Sequence, residues 1–159
     1  MQGMIHHHSQ AVEMVELLKT RTKSEDMRKL AQRIELSQRD EIKMMQQWLK
    51  ARGQDAPNPA AHRTHDGMSM PGMTTVMMPG MLTQEEMQRL AAASGQDFDR
   101  LFLEGMIKHH GGALTMVKDL FATPGAAQDS DIFAFASDVD ADQRMEINRM
   151  SAMLEELQK

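Results

Sequence analysis

Apolar residues recur along this chain at the three- and four-residue intervals of a helix face. Met27, Leu30, Ala31, Ile34, Met45 and Trp48 form one such stripe, with none of the alternation a half-buried strand would show. The pattern predicts four long helices, over Met1–Lys19, Glu25–Ala51, Asp97–Ala122 and Asp129–Leu157. Asp97 and Asp129 stand where an N-cap or first-turn acid is expected, and Gly53 and Pro124-Gly125 where helices stop. A shorter helix over residues 83–93 is signalled by Thr83 as its cap, with Glu86 in the capping-box position and Ser94-Gly95 as its end.

The stripe repeats itself. Met4-Ile5-His6-His7-His8-Ser9-Gln10-Ala11-Val12-Glu13-Met14-Val15 matches residues 106–117, with seven of twelve positions identical at an offset of 102 residues. Further on, Gln38-Arg39-Asp40-Glu41-Ile42 matches Gln143-Arg144-Met145-Glu146-Ile147 at an offset of 105, and Met45 matches Met150. The change of offset falls in the two predicted inter-helix loops. The chain is therefore read as a duplication, with hairpin 1 over residues 1–52 and hairpin 2 over 96–158. Residues 53–82 form a Met/His-rich linker between them, followed by the short helix at 83–93. Two hairpins sharing one core make a single four-helix-bundle domain over 1–159, with the linker free to cross the bundle. The duplication also shows that His6-His7-His8 is native sequence and not a purification tag, because His109-His110 sits in the same context deep inside the chain.

Composition then narrows the chemistry. The net charge is -5 with acids and bases interspersed, which argues against nucleic-acid binding, and no apolar run is long enough to span a membrane. The chain holds 18 Met and no Cys. Part of that excess is core filler, but thioethers are also soft ligands that favour Cu(I) and cannot form disulfides. A Met-rich, Cys-free chain suits copper handling in an oxidising compartment.

Helical geometry places polar groups on the apolar stripe. Around Ala11, His7 falls about 40° to one side and His8 about 60° to the other, and His109 and His110 repeat this around Ala113. His6 and Lys108 point away. On the partner helices Glu41 and Met45, and again Glu146 and Met150, lie within about 20° of the stripe centre. A carboxylate there is costly unless paired or metal-bound. Folding each hairpin about its loop brings residues 4–8 opposite 36–41, and 105–110 opposite 142–146. The candidate metal ligands are thus Met4, His7, His8, Glu41 and Met45 in one half. Met106, His109, His110, Glu146 and Met150 are their counterparts, with Gln38 and Gln143 one turn away. The alternative is structural: each Glu simply hydrogen-bonds a neighbouring His and fixes the hairpin register. Met14 and Met116 are read as core.

The linker supplies a second, weaker candidate set: His62, His65, Met68, Met70, Met73, Met77, Met78 and Met81. Gly and Pro let such thioethers converge on one soft ion. They could equally cover an apolar groove, or dock a partner protein.

The segment Phe98-Asp99-Arg100-Leu101-Phe102-Leu103-Glu104-Gly105-Met106-Ile107-Lys108-His109-His110-Gly111-Gly112-Ala113 strongly resembles the signature of bacterial domain-of-unknown-function family 305. Met78-Pro79-Gly80-Met81-Leu82-Thr83 resembles the stretch that commonly precedes it. The resemblance covers nearly the whole chain. It implies an all-α, ferritin-like four-helix bundle in exported, periplasmic or membrane-anchored proteins, and a CopM-like branch that binds copper and contributes to copper tolerance. The chain departs from the pattern in two places. The usual Asp-x-x-Phe lead-in is missing before Met1, which leaves the first helix truncated here, while Asp97-Phe98 through Phe102 supplies it in the second half, and Lys108 replaces a common Pro. The export expected of the family implies a leader or anchor removed upstream.

The function expected is non-enzymatic copper binding, Cu(I) favoured with silver or zinc as other cargo, for sequestration, tolerance or handover to a copper-transport partner. A homodimer is compatible with this. The competing readings are a metal-free helical interaction module and a ferritin-like metal oxidase. Such an oxidase needs Glu-x-x-His motifs, and neither Glu41 nor Glu146 is followed by His three residues later.

Overall fold

The computed structural model describes residues 1–58 and 77–159. Among them the fold is all-helical: α1 (Gln2–Arg21), α2 (Glu25–Ala51), α3 (Gln84–Ala92), α4 (Gly95–Ala122) and α5 (Ser130–Leu157). None of these helices is long and apolar enough to cross a membrane. Contacts divide the chain into two compact units, residues 1–20 with 24–78 and residues 21–23 with 79–159. The first carries α1 and α2, the second α3, α4 and α5.

In the first unit α1 and α2 run antiparallel. Ser24 caps α2 by accepting from the Met27 N–H, and Glu25 and Asp26 add negative charge to the first turn, where it opposes the helix dipole. The other end of α2 closes in a Schellman motif. Gly53 takes the left-handed conformation at φ 65°, its N–H bonds the Lys50 carbonyl, and the Gln54 N–H reaches back to that of Leu49. The interior is built from Ile5, Ala11, Met14, Val15 and Leu18 of α1 against Met27, Leu30, Ile34, Met45 and Leu49 of α2. Trp48, expected on the stripe, is half-buried and carries the Arg52 guanidinium 4.0 Å above its ring. Outside the core, Arg39 and Lys19 reach across to Glu16 and Glu35 respectively, at 3.2 Å each. After Gly53 the chain returns along the open end of the hairpin, where Gln2 and Gln46 donate to the carbonyls of Asp55 and Pro57.

In the second unit α4 and α5 repeat the antiparallel arrangement. Asp129 caps α5 by accepting from the N–H groups of Asp131 and Ile132. Thr83 and Glu86 form the expected reciprocal capping box on α3. Phe98, Phe102, Leu103, Met106, Ala113 and Val117 of α4 pack with Ile132, Phe135, Ala136, Val139 and Met150 of α5. The turn before α3 lies directly on α4. A Cβ at Gly112 would fall 1.9 Å from the Pro79 carbonyl oxygen, and one at Gly80 (φ 74°) 2.5 Å from that of Lys108. Two glycines therefore permit a backbone-to-backbone approach that a side chain would block.

Candidate metal centre

Helical phase decides what these hairpins bury. His7, His8, His109 and His110 are all at most 1% exposed, so both members of each pair lie in the interior, where the spacing placed at least one. His6 is half-buried and Lys108 is exposed. The neighbouring rings are arranged alike in the two halves, with centroids 6.2 Å apart in each and interplanar angles of 56° and 58°. A buried imidazole needs a polar partner, and the opposite helix supplies one. His8 Nε2 is hydrogen-bonded to Glu41 Oε2, and His110 Nε2 to Glu146 Oε2 at 2.5 Å. Each glutamate side chain keeps 12% of its exposure, enough to reach the edge of the hairpin. The two pairs are the same contact, made once in each hairpin by matching stretches of sequence.

Buried thioethers lie one helical turn from them in sequence. Met4, Met45, Met106 and Met150 are all buried. Met4 and Met106 lie four residues before His8 and His110, and Met45 and Met150 four residues after Glu41 and Glu146. An i,i+4 spacing puts each on the same helix face as its neighbour, one turn away. Each hairpin interior therefore carries a thioether and two imidazoles on one helix and a carboxylate and a thioether on the other, with the imidazole–carboxylate pair in direct contact. Among the described residues, no three His, Asp or Glu side chains gather closely enough to hold a metal by themselves. The buried methionines are the soft donors nearest in sequence to these imidazoles, of the kind that suits Cu(I) or Ag(I).

Buried polar atoms left over in the same turns point the same way. Gln38 and Gln143 are fully buried at matching positions, one turn before Glu41 and Glu146. Among the described residues, neither Gln38 Oε1 nor Gln143 Oε1 has a hydrogen-bond partner, and Gln38 Nε2 and the Nδ1 atoms of His8 and His110 have none either. Such orphans cost about 1–3 kcal/mol each and mark places where a ligand or water completes the site. Their signal in the sequence was their place on the apolar stripe in both repeats. Sequence reasoning missed the Lys108–Glu86 ion pair and the Gly80–Gly112 approach beside the second His pair, although a Gly-Gly step inside a helix hinted at the latter.

Of the linker candidates, Met77 is exposed and Met78 and Met81 are half-buried. His62, His65, Met68, Met70 and Met73 lie outside the described residues. Met14 is fully buried, as a core residue should be, and Met116 is half-buried.

Helical hairpins, each with an imidazole–carboxylate pair in its interior, place this chain among the all-helical bundle proteins. It is a member of the DUF305 family, a domain of unknown function whose family model matches residues 1–154. A DUF305 protein from Streptomyces coelicolor is 30% identical and superposes with a TM-score of 0.79, covering 97% of this chain and 88% of that one. A DUF305 fragment from Deinococcus radiodurans is 27% identical, with a TM-score of 0.78 over 98% and 92% of the two chains. CopM in its Cu(II)-bound form is 26% identical, with a TM-score of 0.72 over 96% and 91%. No protein of curated function matches the sequence significantly.

Proposed function

We propose that this protein binds Cu(I), or Ag(I) in its place, through methionine and histidine donors, and serves to sequester the metal or hand it on outside the cytoplasm. The observation that carries this reading is the repeated His–Glu pair, buried in each hairpin with thioethers one turn away on both helices. A lone pair of this kind could be a register clamp. Two copies, each with buried methionines and unsatisfied polar atoms beside it, exceed what a clamp requires. The fold adds support, since CopM has been crystallised in Cu(II)-, Cu(I)- and Ag-bound forms. A location outside the cytoplasm is supported by the Streptomyces relative, which is named as a secreted protein. The donor set does not favour an oxidase, for which carboxylate bridges between two metals are needed.

Anaerobic titration with Cu(I) against a chromophoric competitor tests the proposal. At least one tightly bound ion per chain is expected, lost stepwise when His7 and His8, and then His109 and His110, are replaced. Tight binding untouched by all four replacements would move the site to the linker methionines. No retained Cu(I) at all would favour a metal-free interaction module.

A further inference from the structure

We infer that the outer face of α5 is a docking surface for a second copy of this chain, with the two helices antiparallel about residue 142. The inference is independent of the metal-binding reading and starts from a difference between the two repeats. The outer face of α2 is an ordinary solvated one, with Arg28, Lys29, Asp40 and Lys43 all exposed. At the matching positions α5 carries Phe133, Ala134, Met145 and Asn148, and Lys19 of α1 is matched by Phe121 of α4. Each half is an antiparallel hairpin, so the hairpin itself does not call for the loss of charge. Phe121, Phe133 and Met145 are 41%, 55% and 58% exposed, and the two phenylalanine rings lie 5.5 Å apart at one end of the face. Clustered apolar surface marks an interface, whereas apolar residues scattered singly do not.

A twofold contact requires a face that complements itself, and this one does. At about 100° per residue, Phe133, Ser137, Ala141, Met145 and Asn148 share an arc of about 120° on α5. Asp140 and Arg144 border one edge of that arc and pair with each other at 2.7 and 3.0 Å. Turning a second α5 antiparallel about residue 142 sets Asp140 of one protomer opposite Arg144 of the other, twice over. The same register sets each large side chain against a small one. Phe133 meets Ser151 and Met145 meets Ala141, with Ser137 opposite Asn148 between them. A parallel pair would instead oppose Arg144 to Arg144 and Phe133 to Phe133. With 28 residues α5 is about 42 Å long, so the contact covers roughly 400–500 Å² of each chain. That is the low end for a specific interface, so association is reversible, with a dissociation constant in the micromolar range or weaker.

The test is analytical ultracentrifugation of the full chain over a wide range of concentration, where monomer should give way to dimer as the protein is concentrated. The double variant Phe133→Arg/Met145→Asp restores the residues that α2 carries at these exposed positions. It should melt with the wild type yet pair at least about 10-fold more weakly. Asp140→Arg and Arg144→Asp each set like charges across the axis and should weaken pairing alone, while an equimolar mixture of the two should recover it. Met145 and Met44 should oxidise alike in dilute protein, and concentration should protect Met145 in step with the dimer fraction while leaving Met44 unchanged. A wild-type chain that stays monomeric throughout would overturn the inference and leave the face to a helix of another protein. A dimer indifferent to Phe133→Arg/Met145→Asp would overturn it too, by placing the contact on another face. Failure of the mixed charge variants to pair, when the wild type does, would overturn the antiparallel register.

Discussion

The ammonium of Lys108 on α4 meets both carboxylate oxygens of Glu86 on α3, at 2.7 and 2.8 Å. Glu86 is also the residue that closes the capping box with the Thr83 N–H. The Lys108 bond, and after it the Thr83 backbone bond, hold its pKa below the ordinary 4.5. A depressed carboxylate stabilises the folded state above its unfolded value, and that contribution is lost as pH falls through the folded value. Below about pH 4.5, α3 should therefore loosen from α4 before the α4–α5 hairpin melts. Hydrogen exchange of the α3 amides measured across that range checks this, and Lys108→Met should bring the faster exchange to neutral pH. Because both side chains are more than a third exposed, the effect is expected to be local and weakened by salt.

The adjacent glycines in the middle of α4 should respond in opposite directions to the same change. Nothing stands within 4 Å of a Cβ at Gly111, so Gly111→Ala should stabilise the protein by about 0.5–1 kcal/mol through helix propensity alone. Gly112→Ala gains the same propensity but drives a methyl group into the Pro79 carbonyl, and should cost a net 1–3 kcal/mol or so. Urea denaturation of the two variants beside the wild type decides it. Equal stabilisation by both would mean that the turn at 79–80 does not rest on the helix.

Removing an unsatisfied amide from the interior should strengthen the metal-free protein. Gln38→Leu is expected to raise its stability by roughly 1 kcal/mol, since both polar atoms of that side chain lack partners among the described residues. Gln143→Leu should gain less, because there the orphan is the carbonyl oxygen. Thermal melts in the presence of a chelator provide the measurement. A fall in stability at either position would show that the amide is satisfied in solution.

Oxidation should sort the methionines by exposure. Met44, Met77 and Met145 are 51%, 49% and 58% exposed, whereas Met14, Met45, Met106 and Met150 are fully buried. Mild peroxide treatment followed by peptide mass spectrometry should find sulfoxide at the first three well before the last four. Protein oxidised to that point should keep its affinity for Cu(I). Early oxidation of Met45 or Met150 would show that the hairpin interiors open readily.

Most of the helical architecture was legible because periodicity marks each helix and caps mark several of their ends. Thr83 and Asp129 stand at the starts of their helices as expected, and Gly53 and Gly125 just beyond the ends of theirs, whereas the Ser24 cap of α2 emerged only in the structure. The helix ends shifted by only a residue or two, as at α1, which runs on to Arg21, and α4, which begins at Gly95. The pairing of His8 with Glu41 and of His110 with Glu146 was foreseeable once the loops fixed the antiparallel register. Which ring nitrogen meets the carboxylate was not, because a one-dimensional pattern carries side-chain direction but no rotamer. The Gly80–Gly112 approach escaped for a related reason, since periodicity reports side chains and this contact is made by backbone.

Gly111-Gly112 is the poorest helix-forming step in α4, and it follows directly on His109-His110. In the first repeat the corresponding residues are Ser9-Gln10, and the Ser9 hydroxyl bonds back to the Ile5 carbonyl within its own helix. The middle of α4 thus owes its order less to its own sequence than to the turn that rests on it. Residues 79–80 and the turn at 109–112 should accordingly behave as one cooperative opening unit, with a lower protection free energy than the rest of the helix and with no counterpart at residues 7–10.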